Sequence, residues 1–146
     1  MENLILVTTG IVAALVTFIV NEKLNQGPVR ASAIVSLVVG SFFYWFPEEL
    51  SNELTQNIPI VFIGGSFIGM VSSNIISNYW MIGISGAIFS FFYLNASNFF
   101  NGYGGTLGTA ACISLLVTLS LPVITKKHRI VNGFLILRGL ILKRKK

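Results

Sequence analysis

Residues Phe62–Ser73 read FIGGSFIGMVSS, a stretch of glycines, hydroxyls and large apolar side chains without a charge. Gly65, Gly69, Ser73 and Ser77 recur at every fourth position. On a helix that spacing makes one smooth stripe along which a second backbone can approach closely. Small-residue faces recur elsewhere, at Thr9, Ala13 and Thr17, at Ser32, Ser36 and Gly40, at Gly83, Gly86, Ala87 and Ser90, and at Gly104, Gly108 and Cys112. The expectation is of helices that pack by shape, with lipid rather than water around them.

Composition points the same way. Of 146 residues, 53% are apolar and 10% charged, and the mean hydropathy is +0.78. So little charge cannot cover a water-soluble surface. A spanning helix takes about 20 residues, so roughly five of them with short connections use nearly the whole chain. The expected fold is an all-α integral membrane protein, a bundle of about five transmembrane helices with short loops over residues 1–125. Spans are expected near 3–20, 31–46, 58–77, 79–96 and 106–125, followed by a basic C-terminal interfacial helix within a tail over 126–146.

Local signals set those boundaries. Gln26-Gly27-Pro28 predicts a turn, because proline fixes its own φ and biases its predecessor away from helix. The cluster Phe42-Phe43-Tyr44-Trp45-Phe46 marks a headgroup level. Pro47–Leu54, with three glutamates and with Leu50 and Leu54 one turn apart, reads as a short surface helix. Asn57 is the expected N-cap of the third span, with Pro59 in its first turn. Asn98–Gly105, NFFNGYGG, reads as an interfacial turn.

The net charge of +5 is a property of the tail. Eight of the ten Lys and Arg residues lie at or beyond Lys126, and all five acids lie at or before Glu53. Glu2 stands where a secretory signal would carry basic residues, so the first apolar run is expected to be a helix of the mature protein. The loop with Lys23 and Arg30 and the tail are separated by four expected crossings, which puts both basic regions on one side. The positive-inside bias then gives an outside N-terminus and a cytoplasmic C-terminus, in a plasma (inner) membrane. For 58–97 the same bias allows either two full spans or a hairpin of re-entrant helices. In the tail, the apolar run Ile130–Leu142 is broken by Arg138 and bracketed by Lys126, Lys127 and Arg129 and by Lys143, Arg144, Lys145 and Lys146. It is expected to lie on anionic lipid headgroups.

Ser41-Phe42-Phe43-Tyr44 recurs as Ser90-Phe91-Phe92-Tyr93, with Ser36 matching Ser85 at the same offset, and Gly64-Gly65-Ser66 resembles Gly104-Gly105-Thr106. These pairs mark either two related hairpins, helices two and three against four and five, or chance matches in a biased composition.

Chemistry is sparse. Between Ala31 and Thr125 the only carboxylates are Glu48, Glu49 and Glu53, His128 stands alone in a basic patch, and Cys112 is the single cysteine. No nucleophile–His–Asp arrangement or metal cluster can be assembled from these. An enzyme, a cofactor, a metal and a nucleic-acid partner are therefore not expected. What remains is neutral and polar. Gly64, Gly65, Ser66, Gly69, Ser72, Ser73 and Asn74, together with Gly104, Gly105, Thr106, Gly108 and Thr109, are the candidates for lining a route or packing helices. The expected function is a small transport or channel-like protein for an ion or small solute, completed by a second copy or a membrane partner protein. The alternative is a non-catalytic subunit or scaffold of a larger membrane complex.

Overall fold

The computed structural model describes residues 2–25, 27–46, 51–76, 78–96 and 105–124. They form an all-α bundle of five helices: α1 (Glu2–Lys23), α2 (Pro28–Trp45), α3 (Asn52–Gly69), α4 (Tyr79–Ala96) and α5 (Gly105–Ile124). By length and composition α1 and α2 can each cross a membrane, a test that a signal sequence or the core helix of a water-soluble protein also passes.

The first turn follows the sequence signals. Asn25 takes φ 49° and Gly27 φ 83°, left-handed backbone that stops a helix and that glycine adopts at no steric cost. Pro28 then opens α2, where its missing N–H has no intrahelical partner to lose.

The third helix departs from the expected span at both ends. It begins at Asn52, six residues before Ile58, so Glu53 and Leu54 belong to α3. The rest of the expected surface helix, 47–50, lies outside the described residues. Asn57 caps nothing: its Nδ2 donates to Glu53 O at 2.8 Å from inside the helix, and its Oδ1 accepts from Tyr93 Oη of α4 at 2.7 Å. Pro59 is interior rather than in the first turn. At the other end α3 stops at Gly69. Met70 N and Val71 N donate to Phe67 O and Ile68 O in a tightened last turn. Ser72, Ser73 and Asn74 therefore lie in a loop, and the four-residue stripe runs only through Gly65 and Gly69. Asn78 caps α4 by accepting from Trp80 N at 3.1 Å.

Helix α1 packs most extensively on α3 and α4, which also touch each other. Helix α2 leans on α1 and α3, while α5 leans on α3 and α4. Among the described residues, only α3 meets all four other helices. Paired contacts give the directions. Glu2 Oε1 accepts from Ser51 Oγ at 3.2 Å, and Glu22 Oε1 accepts from Ser73 N at 3.1 Å, so α1 and α3 run parallel. Ser90 Oγ donates to Leu6 O, and Phe18 meets Tyr79 edge to face at 5.6 Å, so α4 runs against α1.

The centre of the bundle is backbone on backbone. A Cβ added at Gly65 would lie 2.9 Å from Gly10 O, and one at Gly86 would lie 2.7 Å from the same oxygen. At Gly69 it would meet Ala14 O at 2.6 Å and Phe18 N at 2.8 Å. Three helices thus touch at Gly10, Gly65 and Gly86, an approach that any side chain would prevent. Large side chains fill the remaining core: Phe18, Val61, Ile68, Ile76, Ile82 and Phe89 are fully or almost fully buried.

Candidate functional site

The polar groups inside this bundle are hydroxyls. Thr17, Ser66, Ser85, Ser90, Ser114 and Thr118 are all 0–1% exposed, whereas Leu37, Tyr44 and Trp45 of α2 are 69–82% exposed. The hydroxyls sort into three seams between helices, and each seam treats them differently.

Between α2 and α3, Ser66 is a hub. Its one proton goes to Ile63 O at 2.6 Å, which leaves its oxygen to accept from Ser32 at 2.8 Å and from Ser36 at 3.4 Å. The seam opens toward the end of α2: Ser32 is buried and Ser36 half-buried, while a Cβ on Gly40 would meet nothing within 4 Å. Around Gly40, the side chains Leu37, Ser41, Tyr44 and Trp45 line a shallow outward groove.

Between α1 and its partners the fit is closest. Ser90 Oγ reaches both Leu6 O at 3.3 Å and Gly86 O at 3.1 Å, and it is pressed against Gly10 so closely that a Cβ there would overlap it. Thr17 lies against Gly69 with its Oγ1 unpartnered among the described residues.

Along α4 and α5 the hydroxyls do not reach across. Ser114 Oγ donates to Ala110 O at 2.7 Å and Thr118 Oγ1 to Ser114 O at 2.9 Å, both within α5. Ser85 Oγ of α4 is buried with no hydrogen-bond partner among the described residues.

The twelve residues singled out for lining or packing fall into separate places. Gly64 packs against the Phe89 ring, Gly65 and Gly69 against α1, and Ser66 against α2. Ser72 and Ser73 are loop residues: Ser72 Oγ accepts from Asn74 N, and Ser73 N is held by Glu22. Gly105, Thr106, Gly108 and Thr109 form the start of α5. A Cβ at Gly105 or Gly108 would meet nothing within 4 Å, and Thr109 is exposed with its hydroxyl turned back on Thr106 O. Gly104 and the basic residues of the tail, expected to bind lipid headgroups, lie outside the described residues.

Several interior groups escaped the sequence reading. Gly10, which meets two helices, stands four residues before Ala14 on a small face of α1 that the Thr9/Ala13/Thr17 spacing overshadowed. Ser114 and Thr118 belong to a second small face of α5, in register with Leu107 and Ala111, that the Gly104/Gly108/Cys112 spacing overshadowed. The Ser36/Ser85 match was the one pointer to Ser85.

Among the described residues no group of three or more His, Cys, Asp or Glu side chains is placed to hold a metal ion. No protein-family model matches the chain, and neither does any curated protein or solved structure.

Proposed function

We propose that the chain is an integral membrane protein with five spans, and that it passes an ion or small solute along its outer helix seams, α2 to α5. The observation that carries this reading is the apolar exterior of the bundle: isoleucines, leucines and aromatic rings cover the outside, while single buried hydroxyls are set into an apolar interior. In water so wide an apolar surface would be a liability. In lipid it is the required solvent face, and buried hydroxyls join helices that gain nothing from a hydrophobic effect. The positive-inside bias assigns the end with Lys23 and Arg30 to the cytoplasm and the end with Glu2 and Ser51 to the outside.

The α1–α3–α4 centre is too close for a route, because its backbones touch at Gly10, Gly65 and Gly86. A path therefore belongs to the seams of α2 and α5, and the open faces at Gly40 and Gly108 are where a second copy or a membrane partner protein would complete it. The tail, in this reading, rests on anionic lipid. Purified protein in liposomes is expected to raise solute permeation above that of protein-free vesicles. An inert result across a panel of ions and small neutral solutes would overturn the transport reading.

A second reading draws on the same closed centre: a non-catalytic subunit or scaffold of a larger membrane complex, in which Gly40 and Gly108 receive neighbouring helices. It predicts stoichiometric co-purification with other membrane proteins in mild detergent. A solitary, stable species would rule against it.

A further inference from the structure

We propose that Ser85, Ser114 and Thr118 form a buried site between α4 and α5 for one small neutral hydrogen-bonding molecule of about the size of water. As the transported class this rests on the transport reading above; as a binding site it stands on its own.

Three observations converge on this seam. The first is position. α4 presents Gly83, Gly86 and Ser90 to α1 and Phe89 to Gly64 of α3. At about 100° per residue, Ser85 lies beyond Phe89 on the side away from α1. That is the side on which α5 packs, since α5 touches α3 and α4 and not α1. The inner face of α5 carries Ala111, Ser114 and Thr118, all buried.

The second is depth. From Ala96 to Gly105 the chain makes nine Cα–Cα steps, about 32 Å when fully extended, and a parallel α5 would use nearly all of that to return past the roughly 27 Å of α4. So short a link favours the antiparallel arrangement, which needs only the width of one helix. Counted from the ends that this connection joins, Ser85 sits about 16 Å deep, with Ser114 at about 14 Å and Thr118 at about 20 Å. The α4 hydroxyl therefore falls level with the pair on α5.

The third is bonding capacity. Ser114 and Thr118 have spent their protons on carbonyls of their own helix and keep oxygen lone pairs to offer, while Ser85 retains an unspent proton and two lone pairs. A water-sized molecule with both donors and acceptors satisfies all three. A bare cation does not, because neither helix carries a charged residue to offset its desolvation.

The test uses the full chain in detergent and in proteoliposomes. Thermal unfolding of Ser85→Ala, Thr118→Val and the double variant reads the site without reference to transport. An occupied seam lowers Tm by about 3 °C in each single variant, with little further loss in the double variant, because each change breaks the same bridge. A rise in Tm for Ser85→Ala, the mark of a buried hydroxyl that binds nothing, overturns the site. Stopped-flow shrinkage assays then compare water, glycerol and urea with Na⁺ and K⁺. Neutral permeation that falls at least tenfold in Ser85→Leu and severalfold in Ser85→Ala, with ions excluded, supports the proposal. Ion flux in place of neutral permeation overturns the substrate class and leaves transport standing, and neutral permeation indifferent to both variants overturns the seam as its route. If nothing permeates, the transport reading falls and the unfolding cycle alone decides whether the site exists.

Discussion

The α2–α3 and α4–α5 seams start from matching serines, Ser36 and Ser85, and end in opposite states. In the first, Ser32 and Ser36 reach across the seam to Ser66, a three-hydroxyl junction with every proton assigned. In the second, Ser114 and Thr118 turn back onto their own helix and Ser85 finds no acceptor among the described residues. The same residue type at the same level is glue in one place and unspent bonding capacity in the other. What differs is distance: Ser32 and Ser36 have a hydroxyl oxygen of the facing helix within hydrogen-bond reach, and Ser85 has none among the described residues.

The comparison breaks most completely if the centre on which both hairpins rest is disturbed. Gly69→Ala places a methyl group against Ala14 O and Phe18 N, and is expected to cost about 3 kcal/mol or to prevent folding. Unfolding in a mixed-detergent titration, followed by circular dichroism, measures it. A stability unchanged from wild type would refute the close α1–α3 contact.

Ser66→Ala removes the acceptor shared by Ser32 and Ser36 and is expected to cost about 1–2 kcal/mol in the same titration. If Ser66→Ala proves neutral, the α2–α3 seam is no more bonded than its counterpart and the contrast disappears. Ser36→Ala sharpens the comparison from within, since its 3.4 Å bond is long. Its expected loss is under about 0.5 kcal/mol.

The smallest loss belongs to Gly108→Ala, whose added methyl group meets nothing within 4 Å and which should leave monomer stability unchanged or raise it by up to about 1 kcal/mol. A clear loss, or a change in sedimentation mass, would mean that a neighbour occupies this face of α5.

The internal repeat is legible at one end of each hairpin only. Both Ser-Phe-Phe-Tyr motifs close their helices, α2 and α4, which run in the same direction. The second half of the match fails: Ser66 lies in the last turn of α3, three residues before its end at Gly69, whereas Thr106 is the second residue of α5. The two Gly-Gly-hydroxyl triplets thus sit at different depths and cannot play equivalent parts.

Apolar composition and turn chemistry were enough to read five helices and the Asn25–Pro28 turn, because those follow from burial and from backbone torsions that neighbours in sequence control. The start of α3 was not legible. A proline after an asparagine looks like a first turn, and only the Tyr93 hydroxyl arriving from α4 shows Asn57 to be an interior tie. Which small face of α5 turns inward was equally hidden, since Gly108/Cys112 and Ala111/Ser114/Thr118 are both regular on a helix. Periodicity along one chain shows that a smooth face exists. Its partner is another helix, brought there by the packing of the whole bundle, so tertiary structure alone decided that Gly65 and Gly86 meet Gly10 and that Ser66 is bonded while Ser85 is not.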